Sequence, residues 1–405
     1  MKIYEIGTGY TSIPAKIPAA TEIIIEHLTS ALADCGEDVA IIDIKDKDRL
    51  KTALPIIEIN VPLITQKTDI SLGIMHKINR VLYSINAAKK IKKIIKDTNE
   101  QIILHFHNQY NMFFFLKMTT KAERKNCICA YTNHSGIWNL DWNKIKGTVK
   151  KRYFQELKCM KMADVLFVLN KKTAENITKY IGVEKSKIKL ISNGVNTDIY
   201  FPLDFNEIET IKNKYNLQNK IVLLQIGSIN ENKGQYRALQ LLLPLFNEYD
   251  NFVYVYAGGI VDKEYHEKLN TFVKKNNLTS KVKYLGMLKP GKQLNEVYNM
   301  ADAMILPSLY ESFSLVTIEA FSSGLPVFVD ENTEIPIKSG LLYYTPQTIT
   351  DIFKENIINN ETKKYKIKAN ARNIALTEYS WHKIAKDYIR VWKNYENTDA
   401  CKLEN

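Results

Sequence analysis

Short apolar runs recur along the chain, each followed by a stretch in which apolar positions return every third or fourth residue. In the first half the runs are Lys2–Ile6, Asp38–Asp43, Ile56–Val61, Gln101–Phe106, Cys127–Thr132 and Val165–Leu169. Helical periodicity fills the intervals near Thr21–Cys35, Leu72–Asp97, Asn111–Ala122, Thr148–Met162 and Thr173–Ile181. A second series follows at Lys220–Gln225, Phe252–Ala257, Val282–Leu285, Ala303–Leu306 and Pro326–Val329, again with helices between. Strands alternating with helices predict a parallel sheet covered on both faces. The fold class is therefore α/β, with two doubly wound domains in tandem whose ligands collect at the carboxyl ends of the strands. A chain of 405 residues also exceeds the size at which one core keeps growing, which favours two domains of roughly 150–200 residues.

The most informative stretch is ESFSLVTIEAFSSGLPV, Glu311 to Val327. It sets one glutamate in a loop and a second, Glu319, inside the following helix, with Gly324 placed to end that helix and Pro326 to prevent its return. A carboxylate held among Leu315, Val316, Ile318, Ala320 and Phe321 costs several kcal/mol unless it is hydrogen-bonded. Sugar or ribose hydroxyls would meet that need; a solvated helix face is the alternative.

The segment YNMADAMILPSLYESFSLVTIEAFSSGLPVFV resembles the donor-nucleotide half of family-4 glycosyltransferases, in which two glutamates have seven residues between them, as Glu311 and Glu319 do. Pro307-Ser308 before them and Gly-x-Pro-Val after them agree. The join ISNGVNTDIYFPLD and the last helix, entered through Tyr-Ser-Trp, extend the resemblance over nearly the whole chain. It implies the GT-B architecture, two Rossmann-like domains with the active site in an interdomain cleft. Residues 1–197 would form the acceptor-side domain and 198–380 the nucleotide-sugar domain, with a final helix at about 381–405 packing back on the first.

The resemblance also assigns roles. IGSINENKGQYRAL matches the family's Gly-Arg, four residues, Lys-Gly motif at Gly227, Lys233 and Gly234, where the cations hold the donor diphosphate. Ser228 replaces the arginine, and Arg237 is a candidate substitute. Glu311 would bind hydroxyls of the transferred sugar, the backbone of Ser312, Phe313, Ser314, Leu315 and Val316 would meet sugar and phosphates, and Glu319 would bind the ribose. Helix N-termini and lysines suit a leaving diphosphate. In the first domain Gly9 would approach the donor, Ala19-Ala20 replace a usual Gly-Gly, and His134, in CAYTNHSGIW, resembles a histidine close to the reacting sugar. The implied catalytic set is His134, Lys233 and Glu311, with no cofactor and no metal. The donor would be a nucleotide-diphosphate sugar, a UDP-sugar ahead of GDP- or ADP-sugars, and the acceptor a glycan or lipid-linked precursor. Retention of anomeric configuration is expected, through a same-face path rather than the two-carboxylate displacement of retaining hydrolases. A non-catalytic protein of the same fold, binding a partner enzyme or glycan, is the competing reading, motivated by Ser228 and Ala19-Ala20.

Other candidates weigh less. His105 and His107 share a strand face and read either as a metal pair without a third ligand or as polar residues lining a cleft. Asp46-Lys47-Asp48 reads as solvated. Five irregularly spaced cysteines suggest reduced thiols and a cytoplasmic protein. The N-terminus lacks a signal-peptide core and no apolar run reaches 18 residues. The net charge of +12 is spread along the chain, which argues against nucleic acid as a partner. Its densest patch, Lys89 to Lys96, reads either as the solvated face of a helix packed on a sheet or as a peripheral contact with the anionic inner face of the cell membrane.

Overall fold

The computed structural model describes residues 1–17, 19–62, 74–311, 313–337 and 339–403. The chain divides into two units, Met1–Asn193 with Trp381–Asn405, and Gly194–Ser380. The first holds a seven-stranded sheet: β1 (Lys2–Ile6), β2 (Asp38–Ile44), β3 (Ile56–Ile59), β4 (Ile102–Phe106), β5 (Cys127–Asn133), β6 (Val165–Val168) and β7 (Ile188–Leu190). Its order is β3-β2-β1-β4-β5-β6-β7, and every pairing is parallel. The second unit holds β8 (Ile221–Ile226), β9 (Phe252–Ala257), β10 (Val282–Tyr284), β11 (Ala303–Leu306), β12 (Val327–Asp330) and β13 (Leu341–Tyr344), in the order β10-β9-β8-β11-β12-β13. Strand order reverses between β1 and β4 in one sheet and between β8 and β11 in the other. Open α/β sheets bind ligands in the crevice beyond the carboxyl ends at such a reversal.

The cores follow from the apolar runs. On one face of the first sheet, Tyr4, Ile6, Leu104, Phe106 and Tyr131 pack with Tyr83, Ala87, Ala88, Ile91 and Ile95 of the helix Ile74–Asp97. Lys89, Lys90, Lys93 and Lys96 of that helix are exposed, while Lys92 pairs with Glu123 at 2.9 Å. Its apolar stripe is thus occupied by the sheet. Leu72 and Gly73, the expected start of this helix, lie outside the described residues. On the other face of the sheet the helix Trp381–Leu403 sets Tyr388 and Trp392 against the His105 ring. The second core is built from Leu223, Leu239, Phe246, Phe252, Tyr254, Ile305 and Phe328.

Two edge strands escape the sequence reading. β7 has three residues with lysine at its centre, and β13 has four of which only Tyr344 is buried, so neither shows a usable period. The helix expected over Thr148–Met162 is two, Trp142–Arg152 and Phe154–Met162. It starts earlier because the Asp141 side chain caps it by accepting from the Asn143 amide, and it breaks at Tyr153 (φ −121°, ψ 20°). Asp46 is buried rather than solvated: Ser12 Oγ and Lys16 Nζ each reach its carboxylate at 2.6 Å. Among the described residues no helix is long and apolar enough to cross a membrane.

Candidate active site

The loops leaving β8 and β11, at the reversal in the second sheet, carry the candidate donor residues. Gln225, buried near the end of β8, accepts from the Tyr254 hydroxyl and donates its amide to the Lys233 carbonyl at 2.8 Å. The turn is completed by Gly234 at φ +73°, where a Cβ would stand 2.4 Å from the Pro307 carbonyl oxygen. Only glycine lets the two loops meet there. Arg237 then ties them: its guanidinium donates to Pro307 O at 2.8 Å, to Asn232 O at 3.3 Å and to Glu231 O at 3.1 Å. Arg237, the candidate substitute for the missing arginine, is thus held by three loop carbonyls. Ser228 is exposed, and its carbonyl accepts from Gln235.

This scaffold brings Lys233 and Glu311 together, with Nζ 2.6 Å from Oε1. Glu311 is 8% exposed and Lys233 is half-buried. A close pair in such a setting is strongly coupled, and removing either member strands the other. A ligand bringing its own negative charge and hydroxyls could take over both partners.

Beyond this pair the helix Leu315–Ser322 begins at Ser314 without a side-chain cap on its first amides. The Thr317 amide donates to Ser314 O at 3.2 Å, and the amides before it have no intrahelical partner. Phe313 and Ser314 are buried; the Ser314 hydroxyl accepts from Thr317 at 2.8 Å and the Phe313 ring faces Tyr379. Leu315 and Val316 are half-buried, and Ser312 lies outside the described residues. The helix ends as its sequence indicates: Gly324, at φ +70°, donates to Phe321 O and Leu325 donates to Ala320 O, the Schellman pattern.

Glu319 is half-buried. The Tyr298 hydroxyl donates to its Oε2 at 2.8 Å. Burial pushes its carboxyl up to about 7, against the hydrogen bonds from Tyr298 and Tyr200. The two tyrosines went unnoticed in the sequence, since they lie 21 and 119 residues upstream of Glu319. A carboxylate has about four lone-pair sites, so two phenols leave room for ribose hydroxyls.

In the first unit the histidines form a different object from the one expected. Glu5 of β1 is the register partner of His105 on β4. Its Oε1 lies 2.9 Å from His105 Nδ1 and its Oε2 lies 2.6 Å from His107 Nε2. His107 Nδ1 lies 3.0 Å from His134 Nε2, and His105 Nε2 lies 2.7 Å from the Thr132 hydroxyl. Glu5 and His105 are fully buried and His107 nearly so. The third ligand-type residue, absent from the sequence reading, is Glu5. Ligand atoms of Glu5, His105 and His107 lie within 4.8 Å of one another, but at 2.6 and 2.9 Å they are in direct hydrogen-bond contact. Burial works against charge on Glu5, yet the two imidazoles hold it at about 2. His107 is lowered to about 4 by burial and by His105, and His134 falls well below the usual range by burial and by His107. Gly9, at φ +74°, has a packing reason to be glycine: a Cβ would stand 2.2 Å from the Tyr83 ring.

Comparison with known proteins bears on the family and the fold. Residues 21–199 match the family described as Glycosyltransferase Family 4, and residues 207–336 match Glycosyl transferases group 1. The chain belongs to the family-4, group-1 glycosyltransferases. It is similar to an uncharacterized glycosyltransferase of Methanocaldococcus jannaschii, 25% identical over 56% of this chain and 59% of that protein. It is likewise 25% identical to an uncharacterized 41.2 kDa protein in the cps region of Klebsiella pneumoniae, over 73% of this chain and 80% of that one. The chain thus spans somewhat more than half of the first relative's length. The crystal structure of Anabaena HepE in complex with UDP superposes with a TM-score of 0.70 at 16% identity, covering 97% of this chain and all of that one. The glycosyltransferase fold is GT-B, with two Rossmann-like domains.

Proposed function

We propose that this glycosyltransferase moves a sugar from a nucleotide-diphosphate sugar to a glycan or lipid-linked acceptor, with retention of anomeric configuration and without a divalent metal. The observation that carries the reading is the Lys233–Glu311 pair at the strand reversal, beside a helix whose first amides are uncapped. Lys233 and those amides offer positive charge to the diphosphate. Glu311, released from Lys233, accepts from hydroxyls of the transferred sugar. Glu319 accepts from the ribose, and Ser228 offers its backbone beside the phosphates, since the Gly227 amide already donates to Ala257 O at 2.9 Å. A UDP-sugar is the favoured donor, since HepE, of the same fold, was crystallised with UDP.

In the transfer step the bond from the anomeric carbon to the phosphate oxygen breaks and the bond to the acceptor oxygen forms on the same face. The acceptor's proton passes to the leaving phosphate. Negative charge accumulates on the diphosphate, so Lys233 binds the transition state more strongly than the ground state. Glu311 offsets positive charge developing at the anomeric carbon, and His134 accepts a hydrogen bond from a hydroxyl of the reacting sugar.

The test is a panel of UDP-, GDP- and ADP-sugars in the presence of EDTA, with thermal stabilisation and slow donor hydrolysis as readouts. One nucleotide class should stabilise the protein, and a Lys233→Ala, Glu319→Ala double variant should lose the effect. Stabilisation that requires a divalent metal, or persists in the double variant, contradicts the reading.

A further inference from the structure

The Glu5 carboxylate lies wholly inside the first unit, reached by two imidazoles and touched by no solvent. Ionised carboxylates only accept hydrogen bonds, and a neutral imidazole has one donor and one acceptor nitrogen. The polarity of the whole arm is then determined. His107 must donate through Nε2, which leaves its Nδ1 as an acceptor. His134 Nε2, 3.0 Å from that Nδ1, must carry the proton. The His134 Nδ1 lone pair is then free, with no partner among the described residues, on a ring that is half-buried.

We infer that Glu5 is a positioning residue for transfer: acting through His107, it holds His134 as the Nε2–H tautomer and thereby presents Nδ1 as an acceptor for a substrate hydroxyl. The inference rests on the reading that His134 meets substrate. Three observations carry it. The carboxylate bridges the two imidazoles one oxygen to each, at 2.9 and 2.6 Å. Strand register places Glu5 and His105 side by side on β1 and β4, where strand order reverses. His105 is in turn fixed by the Thr132 hydroxyl at 2.7 Å and by the rings of Phe167, Tyr388 and Trp392, so the carboxylate cannot swing away. The ionised state of Glu5 and the neutral state of His107 agree with the directions of their pKa shifts. A buried charge that served packing alone could be replaced by an apolar side chain without loss of function. One that sets a tautomer could not, as the orienting aspartate of the Ser-His-Asp triad illustrates.

The direct test is nitrogen-15 NMR of the histidine rings in the wild-type full chain, with His134 assigned from the spectrum of His134→Asn. Both His107 and His134 should be protonated on Nε2; a His134 protonated on Nδ1 overturns the inference without any variant of Glu5. The kinetic test uses Glu5→Leu and Glu5→Gln, whose amide can accept from only one of the two imidazoles. Donor turnover should fall about 10–100-fold in Glu5→Leu, in the range seen when a partner behind a functional histidine is lost, and less in Glu5→Gln. Nucleoside diphosphate affinity should be unchanged. Combining Glu5→Leu with His134→Ala should be no worse than His134→Ala alone, since both act through one ring. Additive losses, or unchanged turnover in Glu5→Leu beside a crippled His134→Ala, contradict the positioning role. Full turnover in His134→Ala would instead sink the reading of His134 itself and leave the NMR result standing.

Discussion

Glu319 sits near its midpoint at neutral pH because burial raises it to about 7. Ribose hydroxyls donate to the charged form, so donor binding lowers this pKa and expels the proton. Affinity should therefore weaken as pH falls below about 7, by at most tenfold per unit, and stay flat above it. Calorimetry at pH 6 in buffers of different ionisation enthalpy should show proton release, absent in Glu319→Gln; proton uptake would contradict the assignment. Lys233 makes a separate prediction. Its removal takes one preorganised cation from the leaving diphosphate and strands Glu311, so Lys233→Ala should lower the turnover number about 10²–10³-fold, read in a steady-state donor-turnover assay. An unchanged turnover number would show that the ion pair serves the fold alone. These residues were legible in the sequence because their spacing is short: Glu311 and Glu319 share one loop-helix unit, and Lys233 adjoins its glycine. Glu5 was not, because its partners lie about a hundred residues away and one glutamate within KIYEI carries no local signal.

At the scale of elements, the two loops of the second unit form one object, joined by Arg237 and by the close approach of Gly234 to Pro307. Gly234→Ala places a methyl against that carbonyl and forces a left-handed backbone on alanine, at a cost on the order of 1–3 kcal/mol. Both a lower melting temperature and weaker nucleotide binding should follow, measured by calorimetric melting and titration. A loss of stability without loss of affinity would separate the loop tie from the donor site. Most elements were readable because buried parallel strands are continuous apolar runs and the covering helices keep a period near 3.6. The break at Tyr153 and the edge strands β7 and β13 were not, because each depends on tertiary neighbours rather than on local pattern. Gly324 shows the opposite case, a helix stop that is wholly local and visible in the sequence.

For the molecule as a whole, the +12 charge meets a helix whose apolar stripe is already buried while Lys89, Lys90, Lys93 and Lys96 remain exposed. Contact with an anionic membrane would then be electrostatic, without insertion, and vesicle binding should fall steeply between low and physiological salt. Equal sedimentation with neutral and anionic vesicles, or with neither, would leave these lysines as solvation only. The central claim concerns chemistry and needs no known acceptor. With water in the acceptor's place, slow donor hydrolysis releases a sugar whose configuration proton NMR reads before it mutarotates. Same-face transfer predicts that the first sugar released keeps the donor's anomeric configuration and that Lys233→Ala suppresses its release; an initially inverted sugar would contradict the account.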